Sequence, residues 1–428
     1  MRRTLVDILI FISVFISSIV FFREPFEGYL HYIIFFLLLP SFVARFGAPG
    51  RTFQLLLIPL LVGVVQVAIG NNTIELFLKI FLGMLLSVSF YYYVMRYYDL
   101  DVVKIFRYYL KGAVIASYIG LFQIISFNTG FRPGYDFHWL FNKWGIAFGT
   151  FGIRLNSVFS EASQCAIMLS PAAFVAIYSL FRREFGFLTL RQCMVVLLAL
   201  FLTASSTGYM GILIIAFLFT INYGKFFNFF IGIILALLAG FALYNYVPEF
   251  KSRVDTSMGL WMGENFSIEN VNSSSFVLYN NYHIATENFK ENFLTGTGLG
   301  SHEVAFDKYS LTKRADILDI KFNKADANSL FLRLMSETGL IGMIFLVVFL
   351  FRNYVRRDPA EENDYWIISN ATLVIIMLYL LRQGNYFLNG FPLFMWLYYY
   401  CRKASEEAGE AEPVTENAPA ETHALAGK

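Results

Sequence analysis

Uniformly apolar runs, too long for the core of a soluble domain, recur along the chain near residues 5–22, 29–45, 53–70, 74–95, 105–127, 160–181, 189–205, 207–222, 226–247, 328–351, 365–381 and 385–401. Each holds roughly 17 to 25 residues, the length a helix needs to cross the hydrocarbon core of a bilayer. Only a helix satisfies its own backbone over that distance. The pattern predicts an all-α polytopic membrane protein of about twelve transmembrane helices. The first run has no small-residue cleavage site after it, and "FFREPFEGYL" leads almost at once into the second run, so it is expected to stay in the protein.

The polar positions between the runs set the organisation. Residues 1–127 hold spans one to five, 128–159 a first outer loop, 160–247 spans six to nine, 248–327 a large outer loop or cap, and 328–402 spans ten to twelve. The stretch 403–428, rich in Ala, Glu and Pro without an apolar face, is expected to be a disordered cytoplasmic tail. Orientation follows from Lys and Arg, which short cytoplasmic loops retain. Arg2 and Arg3, Arg45 and Arg51, Arg96, Lys104 and Arg107, Arg182, Arg183 and Arg191, Lys225, Arg352, Arg356 and Arg357, and Arg402 and Lys403 all fall on one side. The turns "GNNT" and "ASST" on the other side carry none. Both termini are therefore expected to be cytoplasmic. The loop 248–327, about 80 residues, exceeds an ordinary connection and is expected to fold as a functional cap.

Composition agrees with the pattern. Of the residues 57% are apolar and 15% charged, with 48 Phe and 26 Tyr, and the mean hydropathy is +0.56. The net charge of +2 gives no reason to expect a nucleic acid as partner. "TGTGLGS", Thr295 to Ser301, looks like a phosphate cradle. A nucleotide-binding reading, however, requires a preceding strand, a following helix and access to cytoplasmic nucleotide, and the context supplies none of them. Cys165, Cys193 and Cys401 fall in or at the ends of spans, so no disulfide is expected in the cap. His138, His283 and His302 are scattered without metal spacing, and neither metal nor other cofactor is expected.

"ENFKENFLTGTGLGSHEVAFDKY" and, after a polar gap, "ADANSLFLRLMSETGLIGMIFLVVFL" resemble the carboxyl-terminal signature of the bacterial O-antigen polymerase and ligase superfamily. In that family a loop helix leads to a glycine-rich turn and then to an Asn-headed span with Glu-x-Gly-Leu-Ile-Gly. Upstream, "GIRLNSVFSEASQCA" resembles the polymerase pattern of Arg, Phe-x-Glu-Pro-Ser and a small apolar helix, and "LTASSTGYMGILI" resembles the next shared stretch. The resemblance covers Arg154 to Arg357 and the twelve-span layout, and it implies a GT-C-like membrane glycosyltransferase with its large extracytoplasmic loop between helices nine and ten. Three positions depart from the family. Ligases place His immediately before the Asn where this chain has Ala327, and usually an Arg near Leu278; Ala162 stands where Pro is common. The first two departures point to a polymerase rather than a ligase.

The resemblance implies a glycan built on undecaprenyl pyrophosphate, transferred at the outer face of the bacterial inner membrane to the non-reducing end of a second lipid-linked repeat unit. Membrane lipids, a flippase and chain-length regulator proteins are the partners it implies. Such chemistry needs cations for the departing pyrophosphate, and Arg suits phosphate because its fork donates bidentately and stays charged. A general base for the acceptor hydroxyl is usually a carboxylate or His. Arg154 and Glu161 are the catalytic candidates. For Glu161 the alternative is a helix-terminal carboxylate in a simple "S-E-A-S" cap. Arg253, Asn328, Arg333, Glu337 and Arg382 are candidates for substrate binding. Arg333 and Glu337, four apart on one helical face, would equally well satisfy each other within the bundle. Arg382 would equally well be a snorkelling anchor, and Arg314 has only its side to recommend it. Tyr135, Trp139, Trp144 and Trp261 are candidate sugar platforms, and the glycines of "TGTGLGS" either shape a turn or present amides to an anion. A lipid-oligosaccharide flippase or other carrier is the competing class, but no internal repeat of the kind carriers show is visible.

Overall fold

The computed structural model describes residues 3–23, 27–149, 152–224, 241, 244–246, 248–262, 273–314, 323–358 and 364–411. The side chains of residues 248–250, 252–253, 273–274, 313–314 and 410–411 are outside that description, as is nearly all of the expected ninth span, 226–247. The helices are α1 (Arg3–Phe15), α2 (Leu30–Phe46), α3 (Gly50–Ala68), α4 (Ile74–Tyr97), α5 (Val102–Asn128), α6 (Arg132–Tyr135), α7 (Ala162–Arg182), α8 (Leu190–Leu202), α9 (Ser206–Tyr223), α10 (Pro248–Met262), α11 (Ser273–Glu291), α12 (His302–Tyr309), α13 (Leu330–Arg352), α14 (Tyr365–Arg382) and α15 (Phe391–Ala411). One hairpin, β1 (Phe148–Gly149) with β2 (Gly152–Ile153), is the sheet among the described residues.

The protein is an all-α polytopic membrane protein. Among the described residues, α3, α4, α5, α7, α9, α13 and α14 are long and apolar enough to cross a bilayer, and α2 and α8 are shorter apolar helices. Their burial sorts them: the most apolar stretches of α7 and α14 are 78% and 72% buried, whereas that of α13 is 17% buried. The first two therefore form the centre of the bundle, and α13 turns its apolar surface outward, as a lipid-facing helix does. The first apolar run ends as helix at Phe15. Ser17 and Ser18 leave it to donate to Gln164 Oε1 (2.9 Å) and the Val158 carbonyl (2.6 Å), and Val20 then bridges back to Tyr29. The last helix continues through Ala411, beyond Arg402.

The many tyrosines are accommodated by aiming hydroxyls at backbone carbonyls, which removes the cost of an unpaired donor in an apolar interior. Tyr109 donates to Met168 O at 2.6 Å, Tyr379 to Leu388 O at 2.7 Å and Tyr398 to Leu350 O at 2.7 Å. Loop contacts fall into two groups. At one end Asn72 reaches the Leu299 carbonyl (2.8 Å), Leu155 N the Leu202 carbonyl (3.0 Å) and Lys143 N the Ser18 carbonyl (2.9 Å). The basic segments make their own contacts, such as Arg51 with the Tyr400 hydroxyl at 3.0 Å and Arg357 over the Tyr223 ring at 4.5 Å.

The glycine turn has a definite structural task. Helix α13 is broken at Gly339 (φ 59°, ψ −157°), which leaves carbonyls of the preceding turn without helical donors. The turn supplies them: Gly298 N donates to Glu337 O at 2.8 Å and Thr297 N to Ser336 O at 3.3 Å, while Leu340 N donates back to Phe293 O at 2.8 Å. A Cβ on Gly296 would lie 2.5 Å from the Glu337 carbonyl carbon, and one on Gly339 would lie 2.5 Å from Gly296 N. Asn288 completes the junction by donating to Thr297 Oγ1 (2.9 Å) and Ser336 Oγ (2.8 Å). The amides of Thr297 and Gly298 are thus engaged with α13, in keeping with the turn reading of these glycines.

Candidate functional site

A cavity of about 1530 Å³ opens at the end of the bundle where "GNNT", "ASST" and the cap segments gather. It brings together Arg154, Glu161, Asn328, Arg333 and Arg382, residues from widely separated parts of the sequence. Arg154 directly follows β2; its amide donates to Ala147 O at 2.8 Å and its Nε to Thr203 O at 3.1 Å. Those two bonds, with Gly149 packed against its stem, set the direction of the guanidinium. Glu161 occupies the N-cap position of α7 but makes no side-chain cap bond. Its carboxylate accepts from Ser163 Oγ at 2.6 Å, is exposed to the cavity, and lies within electrostatic range of Arg382. The simple cap expected as the alternative role of Glu161 is therefore not formed.

Arg333 and Glu337 make the ion pair expected of their spacing. Arg333 Nε meets Glu337 Oε1 at 2.9 Å, its Nη1 the Gly384 carbonyl at 3.0 Å, and its guanidinium lies 4.4 Å from the centre of the Tyr386 ring. Tyr386 in turn donates to Glu337 Oε2 at 2.7 Å. With Arg333 3% and Glu337 0% exposed, this cluster is a buried tie between α13 and the segment after α14. Arg333 borders the cavity, and Glu337 sits behind it. Asn328, at φ 53°, donates its amide to Asp326 Oδ1 at 3.1 Å just ahead of α13. Arg253 lies in α10, four residues before Ser257 and eight before Trp261, both of which line the cavity.

Of the candidate platforms, Trp261 lines the cavity. Trp144 is buried, with Nε1 on the Ser157 carbonyl at 3.0 Å, so it stabilises the first loop rather than offering a face to sugar. Trp139 is exposed, and Tyr135 packs edge-on against Phe127. His302 is fully buried against Asn281 at 3.0 Å. Burial, reinforced by the nearby charge of Arg333, pushes its pKa down to about 3, which keeps the imidazole neutral.

Sequence reasoning missed a second charged cluster on the wall. Lys143 Nζ lies 2.6 Å from Glu27 Oε1 and 2.7 Å from the Tyr29 hydroxyl, which also donates to Glu27. Burial raises the Glu27 pKa, but the hydrogen bonds from Lys143 and Tyr29 outweigh it and hold the carboxyl below its ordinary range. Lys79 pairs with Glu303 at 3.3 Å on the same lining. The partners in each pair are more than a hundred residues apart in sequence, and no local spacing connects them. The remaining wall, including Ile33, Phe36, Leu82 and Leu86, is apolar. Charged groups and greasy surface thus share one cavity, a combination suited to an amphiphile.

Ala327 and Leu278, the two departures from the ligase pattern, meet in one small apolar cluster with Ala285, Leu332 and Met335. Ala327 is fully buried at φ 55°, and Leu278 borders the cavity.

The apolar helices are those of a multi-pass membrane protein, and the cavity at one end combines charged and apolar lining. Residues 192–347 match the family model described as O-antigen ligase, which supports a likeness to the O-antigen ligase and polymerase superfamily over that part of the chain. The match supports a membrane enzyme of the polymerase and ligase type. The matched stretch contains Arg253, Asn328, Arg333 and Glu337, and Arg154, Glu161 and Arg382 lie outside it. No curated protein matches the chain.

Proposed function

We propose that the chain is a polysaccharide polymerase that transfers a glycan from undecaprenyl pyrophosphate to another lipid-linked repeat unit at the outer face of the bacterial inner membrane. The observation that carries this reading is the convergence of Arg154, Glu161 and Arg382 on one cavity that also has an apolar wall. The arginines would receive the pyrophosphate as negative charge develops on it. Glu161, exposed and acceptor-rich, would take the proton of the attacking sugar hydroxyl. The carbon–oxygen bond to the lipid pyrophosphate breaks as the new glycosidic bond forms, and no nucleotide or metal enters the scheme. Neutral His302, away from the cavity lining, is not offered this role.

The preference for polymerase over ligase is supported by the apolar contact region of Ala327 and Leu278. Where the ligase pattern has a His and an Arg, this chain has two hydrocarbon side chains packed into the same cluster. The matching topology has about twelve spans, cytoplasmic termini and an outer cap. Purified protein given a lipid-linked repeat unit should lengthen it with chelator present and ATP absent. Transfer to a lipid A core instead would establish the ligase, and vectorial movement of uncleaved lipid-linked glycan the carrier.

A further inference from the structure

At the end of the bundle that carries the basic segments, a separate pocket of about 230 Å³ lies among α1, α2 and the turn after α4. One water occupies about 30 Å³ of liquid, so the pocket has room for a polyatomic group rather than a lone ion. Its rim carries Arg3, Arg45, Asp99 and Ser41, all exposed, and its floor is Val6, Leu38 and Phe42, all buried. Tyr97 completes the wall, with the Arg45 guanidinium 5.9 Å from its ring centre. Arg45 also stacks 5.0 Å from the centre of the Phe46 ring, which Arg96 approaches at 5.4 Å from its own side. Among the described residues neither Arg3 nor Arg45 makes an ion pair. Asp7, the neighbouring acid, accepts from the Tyr98 hydroxyl at 2.7 Å.

We propose that this pocket binds a phospholipid headgroup bearing both a phosphodiester and a primary ammonium, the phosphate on Arg3 and Arg45 and the ammonium on Asp99. The sign pattern selects that chemistry. Two arginines from different helices match a phosphate, whose oxygens accept from their forks. A purely anionic headgroup would leave Asp99 facing like charge, and a quaternary ammonium has no proton to donate to it. The buried apolar floor lies beneath the charged rim, as an amphiphile at the interface requires, and basic pockets between spanning helices are known to receive lipid phosphates. The pocket is separate from the large cavity and does not depend on the glycan chemistry proposed there.

The test is lipid retention, read by native mass spectrometry after delipidation and by competition in nanodiscs of phosphatidylethanolamine, phosphatidylglycerol or phosphatidylcholine. The native chain should retain phosphatidylethanolamine in preference to both others. Arg45→Gln should weaken that retention about fivefold, since each cation near the headgroup layer contributes about that factor. Asp99→Asn should shift preference toward phosphatidylglycerol by about the same factor. Ser41→Trp, which fills the pocket without altering charge, should weaken retention of phosphatidylethanolamine, and Arg352→Gln, at the same end but outside the pocket, should not. Soluble phosphoethanolamine in detergent distinguishes a free ligand from a lipid: protection at millimolar concentration without lipid would support the recognition chemistry and assign it to a soluble source. Equal retention of the three lipids, an unchanged preference in Asp99→Asn, or equal losses in Arg45→Gln and Arg352→Gln would overturn the proposal. Thermal unfolding of each variant separates lost binding from lost fold.

Discussion

Arg154 illustrates how one side chain can be placed for charge rather than for packing. Two backbone carbonyl contacts, to Ala147 and Thr203, hold it at the cavity. Arg154→Ala should slow glycan transfer by on the order of a hundredfold, the usual scale for losing one well-placed donor to developing charge. Arg154→Lys should restore activity only in part, since a point charge replaces a fork. Normal turnover by well-folded Arg154→Ala would remove it from the site. Arg333 and Glu337 should respond differently. Glu337→Ala leaves a guanidinium buried with one of its partners gone, and should cost about 3–5 kcal/mol of stability, seen as a lower thermal midpoint in detergent. These residues were legible in the sequence because an isolated charge in an apolar run is conspicuous. Which of them reach the cavity was not: the separation of Arg333 at its border from Glu337 behind it depends on the Gly384 carbonyl and the Tyr386 ring, about fifty residues away.

At the scale of elements, the glycine turn and the break in α13 form one unit. Gly296 and Gly339 both stand at φ 59° in mutual backbone approach. Ala at either position would add left-handed strain to a backbone clash and should destabilise the cap by about 2 kcal/mol or more. The expected readout is faster proteolysis between α11 and α13 and a lower thermal midpoint; an unchanged Gly339→Ala would show that the junction relaxes freely. The sequence announced a turn through its three glycines, yet "SETGLIGMIF" reads as uninterrupted helix, because a break satisfied by another segment leaves no periodic signature. The first loop has its own clasp in Glu27, Tyr29 and Lys143. The folded Glu27 carboxyl titrates below its ordinary value of 4.5, so its contribution is present at neutral pH and is lost as pH falls through the acidic range below that value. Amide protection around Lys143, measured as exchange relative to the intrinsic rate at each pH, should fall on acidification in the native chain, and Glu27→Gln should flatten that dependence. The clasp was invisible beforehand because its members are separated by 114 and 116 residues.

Among the described residues, seven of the apolar runs coincide with helices long and apolar enough to cross a bilayer, whereas the first run ends as helix where a polar pair redirects the chain, at Ser17 and Ser18 after α1. The segments expected outside, "GNNT", "ASST", the first loop and the cap, contribute to one set of contacts around the cavity, and that grouping makes orientation a single experiment. If the basic segments are cytoplasmic, a cysteine at Ser274 in the cap should react with a membrane-impermeant maleimide in intact cells, whereas one at Thr415 should react only after permeabilisation. The native Cys165, Cys193 and Cys401 are buried, so the background should be low. The reverse labelling pattern would place Arg154, Glu161 and Arg382 in the cytoplasm. A cavity there would face nucleotide-activated sugars rather than finished lipid-linked repeat units, and the polymerase scheme would fail even if each substitution in the site abolished activity.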